Sequence, residues 1–109
     1  MDNTIMRTML FDFYGDLLTE KQREYYDLHF NSDLSLQEIA EQSGVSRQAV
    51  WDIIRRAEQS LTELEDKTGL VARAVRRRKA VEELEAIIDR LPESAEKAEM
   101  IAKIAELND

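Results

Sequence analysis

Apolar residues return every three or four positions along most of this chain, and nowhere do they alternate with a period of two. The pattern predicts an all-α protein without a sheet. The first helix, within NTIMRTMLFDFYGDLL, sets Ile5, Met9, Leu10, Phe13 and Leu17 on one face. Asn3 or Thr4 serves as its cap, and Gly15 loosens its end. A second helix opens at Thr19, with Gln22 three positions later as the other half of a capping box. It carries Tyr25, Tyr26, Leu28, His29 and Phe30 and ends near Asn31. The third opens on a second box, Ser35 with Glu38, and Leu34 staples against Ile39. Gly44 marks a turn.

The fourth helix starts at Ser46, with Val45 stapled against Val50. Its stripe runs Val50, Ile53, Ile54, Ala57, Leu61 and Leu64 to about Lys67. Gly69 fits the left-handed position just past its end. A fifth helix, Leu70 to Leu91, places Leu70, Ala74, Arg77, Val81, Leu84, Ile88 and Leu91 at alternating steps of four and three, a heptad pattern. Pro92 breaks it. A last helix, Ser94 to Leu107, presents Ala98, Ile101, Ile104 and Ala105. Residues 1–69 thus read as a body, and residues 70–109 as a C-terminal helical hairpin for packing or dimerisation.

LSLQEIAEQSGVSRQAVWDIIRR, residues 34–56, has the marks of a helix-turn-helix. Two helices cross closely only over a small residue, and Ala40 supplies it; Gly44 tolerates the turn's positive φ. Ile39, Val45, Val50 and Ile53 pin both helices. The second helix presents Arg47, Gln48, Trp51, Asp52 and Arg55 near its start, with Arg56 beside them, where a recognition helix meets base edges. Arginine pairs two-pronged with guanine and glutamine with adenine, while Asp52 fits only beside a cytosine amine. Trp51 is large for a groove. The blander reading packs it on a neighbouring helix or partner.

Charge complicates a nucleic-acid reading. The 109-residue chain has a formal charge of −8, and DNA is a polyanion. The positive charge is clustered, however. Residues 46–56 hold three arginines against one aspartate, and RAVRRRK, residues 73–79, holds five cations and no acid. Screening over about 8–10 Å at physiological salt makes the local field the relevant one. Arg73, Arg76, Arg78 and Lys79 form either a solvated face or a phosphate-contacting patch on RNA or DNA. Charged residues make up 35% of the chain, and only four residues are Gly or Pro, which favours long helices with solvated faces.

DFYGDLLTEKQREYYDL joined to SLQEIAEQSGVSRQAVWD resembles the small YlxM-like bacterial family, and LTEKQREYYDLHF with the segment after it resembles region 4 of sigma-70-type factors. The resemblance covers most of residues 10–70. It implies a sigma region 4-like helix-turn-helix body followed by a helical extension, and a regulatory DNA-binding protein. Through the family's gene neighbourhood it also implies a role in the signal recognition particle pathway. The alternative is a non-enzymatic module that binds a protein of that particle, or its RNA through Arg73 to Lys79.

No enzyme constellation, cofactor motif or metal-ligand spacing is present, so no catalysis, cofactor or metal is expected. His29 is the sole histidine, no Gly-rich phosphate loop exists, and Glu63, Glu65 and Asp66 read as a solvated helix face. There is no cysteine, no run of about 18 apolar residues and no charged-then-apolar leader, so a cytoplasmic protein without membrane contact is expected. Leu70, Val81, Leu84, Ile88 and Leu91 offer a dimer stripe, and a homodimer is expected through it. Arg77, on the stripe, either pairs with a partner acid or reaches out to solvent.

Overall fold

The structure, a computed structural model, describes residues 3–108. Among these lie six α-helices and one 3-10 turn, and no strand: α1 (Asn3–Tyr14), the 3-10 turn (Gly15–Leu17), α2 (Glu20–Phe30), α3 (Leu36–Ser43), α4 (Arg47–Thr68), α5 (Leu70–Asp89) and α6 (Ala95–Leu107). The chain forms two compact units, Met1–Val71 and Ala72–Asp109.

The helix ends follow from local chemistry. The Thr19 hydroxyl accepts from the Gln22 N–H at 3.2 Å, and the Gln22 side chain accepts from the Thr19 N–H at 3.1 Å. Ser35 and Glu38 repeat this reciprocal cap, both bonds at 3.1 Å. The Ser35 backbone N–H, and then its hydroxyl, hold the Glu38 carboxyl below the usual carboxylate range. The Ser46 hydroxyl accepts from the Ala49 N–H at 3.0 Å and so opens α4. Each such cap stabilises by about 1 kcal/mol. Gly44 and Gly69, at φ 69 and 66, close α3 and α4 in the left-handed conformation.

In the N-terminal unit α1, α2 and α3 all pack against α4. Val50, Ile54, Ala57 and Leu61 of α4 are buried, with Tyr25, Tyr26, Ile39 and Ala40. Ile53 and Leu64, expected on the same stripe, are half-buried. Phe11 stacks on Tyr26 at 5.4 Å between ring centroids. Arg7 lies 4.6 Å from the Phe30 ring centroid and donates to Glu58 at 3.1 Å. Burial, and next the Glu58 charge, push the Tyr26 hydroxyl up to about 12; Arg7 opposes them.

The first helix differs from its expected face. Met9 and Leu10 are half-buried, while Ile5, Phe13 and Leu17 are exposed and Tyr14 and Leu18 are buried. For Leu17 the cause is the change after Tyr14 to a 3-10 turn, whose three residues per turn throw it off the α-helical stripe. Gly15 is buried against Phe11, whose ring lies 3.4 Å from where a Cβ would stand. Asn3 and Thr4 already lie inside α1, so its cap lies outside the described residues.

Tyr14 also carries a polar node. Its hydroxyl donates to Glu65 Oε1 at 2.6 Å and is hydrogen-bonded to the Thr68 hydroxyl. The same Glu65 oxygen accepts from the Val71 N–H at 3.0 Å. Glu65 is therefore a junction between the end of α1, the last turns of α4 and the first turn of α5, rather than part of a solvated face. His29 is structural as well: its Nδ1 lies 2.7 Å from the Leu34 carbonyl. A carbonyl only accepts, so Nδ1 carries the proton.

In the C-terminal unit Val81 and Ile88 of α5 close on Ile104 of α6. Pro92 follows the end of α5 at Asp89, and the Ser94 hydroxyl caps α6 by accepting from the Lys97 N–H at 3.0 Å. Lys97 is buried, its ammonium donating to the carbonyls of Asp89 at 3.4 Å and Leu91 at 3.1 Å and to Glu93 at 2.7 Å. It satisfies carbonyls that a helix end leaves without partners. Arg77, exposed to solvent, donates to the Leu107 carbonyl at 3.1 Å within its own hairpin.

Candidate nucleic-acid interface

The α3–α4 joint is held by backbone. The Ala40 carbonyl accepts from the Gly44 N–H at 3.0 Å and the Val45 N–H at 3.3 Å, which reverses the chain within one turn. Ala40 is buried at the crossing, and Ile39 and Val50 are fully buried on either side of it. Val45, the outer half of the expected staple, is 40% exposed.

Beyond the joint, the start of α4 faces solvent. Arg47, Gln48, Trp51, Arg55 and Arg56 are exposed, and Asp52 is intermediate. At about 100° per residue, Arg47, Trp51, Arg55 and Gln48 share roughly 100° of the helix circumference, with Asp52 about 40° beyond it and Arg56 about 80° beyond it. The structure therefore brings four of the five expected reading residues onto one face, and Arg56 points away from it. Trp51 is 39% exposed and lines an open groove with Leu36, Arg47 and Gln48. It has no aromatic partner among the described residues, so no neighbouring ring covers it.

The second helix of this helix-turn-helix thus starts with an exposed polar face. The model of a family described as "Putative helix-turn-helix protein, YlxM / p13 like" matches residues 1–104. The chain belongs to this family. Members similar to it include a UPF0122 protein of Geobacillus kaustophilus, 45% identical over 109 residues and 99% of each chain. One from Halalkalibacterium halodurans is 46% identical over 96 residues, 88% of each chain. One from Symbiobacterium thermophilum is 47% identical over 98 residues, covering 90% of this chain and 92% of its own. The match extends well beyond the helix-turn-helix into both helices of the C-terminal unit.

The exposed face at the start of α4 contains an arrangement that inspection of single residues misses. Gln48 Nε2 donates to Asp52 Oδ1 at 3.1 Å, and the Arg55 guanidinium lies 3.9 Å from the same oxygen. Asp52 so links two of the expected base- and phosphate-contacting residues. The i,i+4 and i,i+3 spacings of Gln48, Asp52 and Arg55 were the available sign of it.

Arg73, Arg76, Arg78 and Lys79 lie on α5 in the C-terminal unit, all exposed and without an acid partner among the described residues. The expected dimer stripe divides. Val81 and Ile88 are occupied within their own hairpin by Ile104, whereas Leu84 and Leu91 are exposed, as is Ile87 beside them. A single partner helix covers one line of a two-line heptad seam and leaves the other open. Leu70, also exposed, belongs to the N-terminal unit. Among the described residues no cluster of His, Asp or Glu has the makings of a metal site, and no helix is long and apolar enough to cross a membrane.

Proposed function

We propose that this protein is a DNA-binding regulator that lays the start of α4 in a major groove. Arg47 and Gln48 contact base edges, Trp51 packs against the groove wall, and Arg55 and Arg56 anchor phosphates. The observation that carries this reading is the geometry of the joint: a buried Ala40 and a left-handed Gly44 hold a helix whose exposed first turns are polar and net positive. Leu84, Ile87 and Leu91 support pairing with a second copy. The hairpin buries three apolar side chains against one another, too few for a unit of its size to stand uncovered. Two-fold pairing covers the open line twice and suits a site of two halves. A cytoplasmic setting follows from this function.

Binding to duplexes selected from a random pool, read by fluorescence anisotropy, tests the reading. Arg47→Ala should weaken a selected site by about 1–3 kcal/mol and relax one base preference, while Arg55→Ala weakens all sequences and flattens the salt dependence. Equal, weak losses on every sequence from both variants would refute groove reading.

A second reading is favoured by the exposed cations at Arg73, Arg76, Arg78 and Lys79: a module of the signal recognition particle pathway that contacts the particle's RNA, or one of its proteins, through α5. Reversing the charge of Arg76 and Arg78 should then abolish RNA binding and leave the helical content unchanged. Unaltered affinity at low salt would remove this reading.

A further inference from the structure

We propose that Asp52 determines base specificity, by placing a carboxylate acceptor at the start of α4 that selects an exocyclic amine, cytosine first, at one position of the duplex. This deepens the DNA-binding reading above and rests on it. A free glutamine reads adenine with both ends of its amide, donating to N7 and accepting from N6. In Gln48 one of the two amide N–H donors is taken. Nε2 lies 3.1 Å from Asp52 Oδ1, and because a carboxylate only accepts, it is the NH2 group that faces it. Gln48 keeps its carbonyl oxygen and one N–H, with the amide tied to Asp52.

Asp52 adds a second acceptor. Both of its contacts fall on Oδ1, and Oδ2 has no partner among the described residues. Arg55, 3.9 Å from Oδ1, offsets the carboxylate charge in part and helps hold it in place. The face therefore carries a carboxylate acceptor next to the Gln48 amide. Major-groove donors are the amines of cytosine and adenine; guanine and thymine present acceptors there. Opposite cytosine N4, the carboxylate meets a donor. Opposite guanine O6 and N7, or thymine O4, acceptor faces acceptor in a site that has lost its water. Adenine is less suitable than cytosine, since its N7 acceptor stands beside the amine and would face the carboxylate's second oxygen. Asp52 also repels phosphate, so it penalises binding out of register, where no amine offsets the cost. In a chain of net charge −8 this discrimination adds to weak non-specific binding.

The experiment is selection from a random duplex pool with the full-length wild type, Asp52→Asn and Asp52→Ala, followed by affinity measurement on the selected duplexes and on four duplexes differing at the responding base pair. Wild type should prefer cytosine at that position by about 5- to 150-fold over the worst base, the usual span for one mismatched pair. Asp52→Ala should lose this preference and bind unrelated duplex more tightly than wild type. Asp52→Asn, which restores a donor, should move the preference from cytosine to adenine. Circular dichroism confirms that each variant is folded, and the near-isosteric Asp52→Asn carries the test if the alanine variant is not. A base preference identical in all three proteins overturns the proposal, as does a wild-type site without cytosine at any position that responds to Asp52; in both cases DNA reading by α4 stands. No duplex enriched by the wild type overturns both.

Discussion

Replacing Gly44 by alanine isolates the cost of the left-handed turn that joins α3 to α4. The residue sits at φ 69 and ψ 28, and a Cβ built there meets nothing within 4 Å. Steric overlap with neighbours is therefore absent, and only backbone conformation is charged. An L-residue in this region costs about 1–2 kcal/mol. Part is returned because alanine narrows the unfolded ensemble, about 0.4–1 kcal/mol. The expected net loss is about 1 kcal/mol, or about 4–8 °C in the melting midpoint of a unit this size. Gly44→Asn should lose less, since asparagine visits the left-handed region more readily. Gly69→Ala, at φ 66 and equally open, should match Gly44→Ala. Urea unfolding followed by far-ultraviolet circular dichroism provides the measurement, with an unchanged m-value as the sign that the two end states are the same. Two results would refute the reasoning: alanine as stable as glycine, or a loss above about 3 kcal/mol, beyond what conformation alone supplies.

Alkali should destabilise the N-terminal unit through Tyr26. Its hydroxyl is raised to about 12 in the fold against 10.0 for the free side chain, so the contribution is complete below pH 10 and is lost as pH climbs through 12. Tyr26→Phe should flatten that decline in a series of melting curves; an identical decline would place its origin elsewhere. Lys97→Met keeps the aliphatic stem but strands the Asp89 and Leu91 carbonyls, at an expected loss of about 1–3 kcal/mol, with faster amide exchange in the last turn of α5. Wild-type exchange in that turn would show that solvent replaces the ammonium without loss. Leu84→Glu with Ile87→Glu should give a helical monomer by sedimentation, since both side chains are exposed in the isolated chain. A wild type that is itself monomeric at tens of micromolar would defeat the dimer.

Helices and their ends were legible because their determinants are local. Thr19 with Gln22, Ser35 with Glu38, and the glycines at 44 and 69 act within four residues of themselves, and each lies where its spacing put it. The crossing at Ala40 was legible because close approach admits few residue types. Side chains whose role depends on distant partners were not. Tyr14 reads as one more apolar residue until Glu65, 51 positions away, is beside its hydroxyl. Lys97 reads as surface until the hairpin brings two carbonyls to it. The heptad of α5 shows that a seam exists but not how many helices close it, so Val81 and Ile88 could not be told apart from Leu84 and Leu91. On the reading face each residue type was visible alone, while the Gln48–Asp52–Arg55 linkage depends on rotamers that spacing permits without dictating.

The division of labour around α4 has a consequence for how such a protein can diversify. The side chains that hold the helix to its unit, Val50, Ile54, Ala57 and Leu61, are all buried, and those on the reading face, Arg47, Gln48, Trp51, Asp52 and Arg55, contribute nothing to that core. Exchanges at exposed positions usually shift stability by no more than about 0.5 kcal/mol. On the DNA-binding reading proposed above, address and scaffold are thus written in separate letters of the same helix. Descendants could acquire new targets by drift in five outward positions without passing through an unfolded ancestor, and an engineer could transplant a foreign set of five onto this frame by the same route.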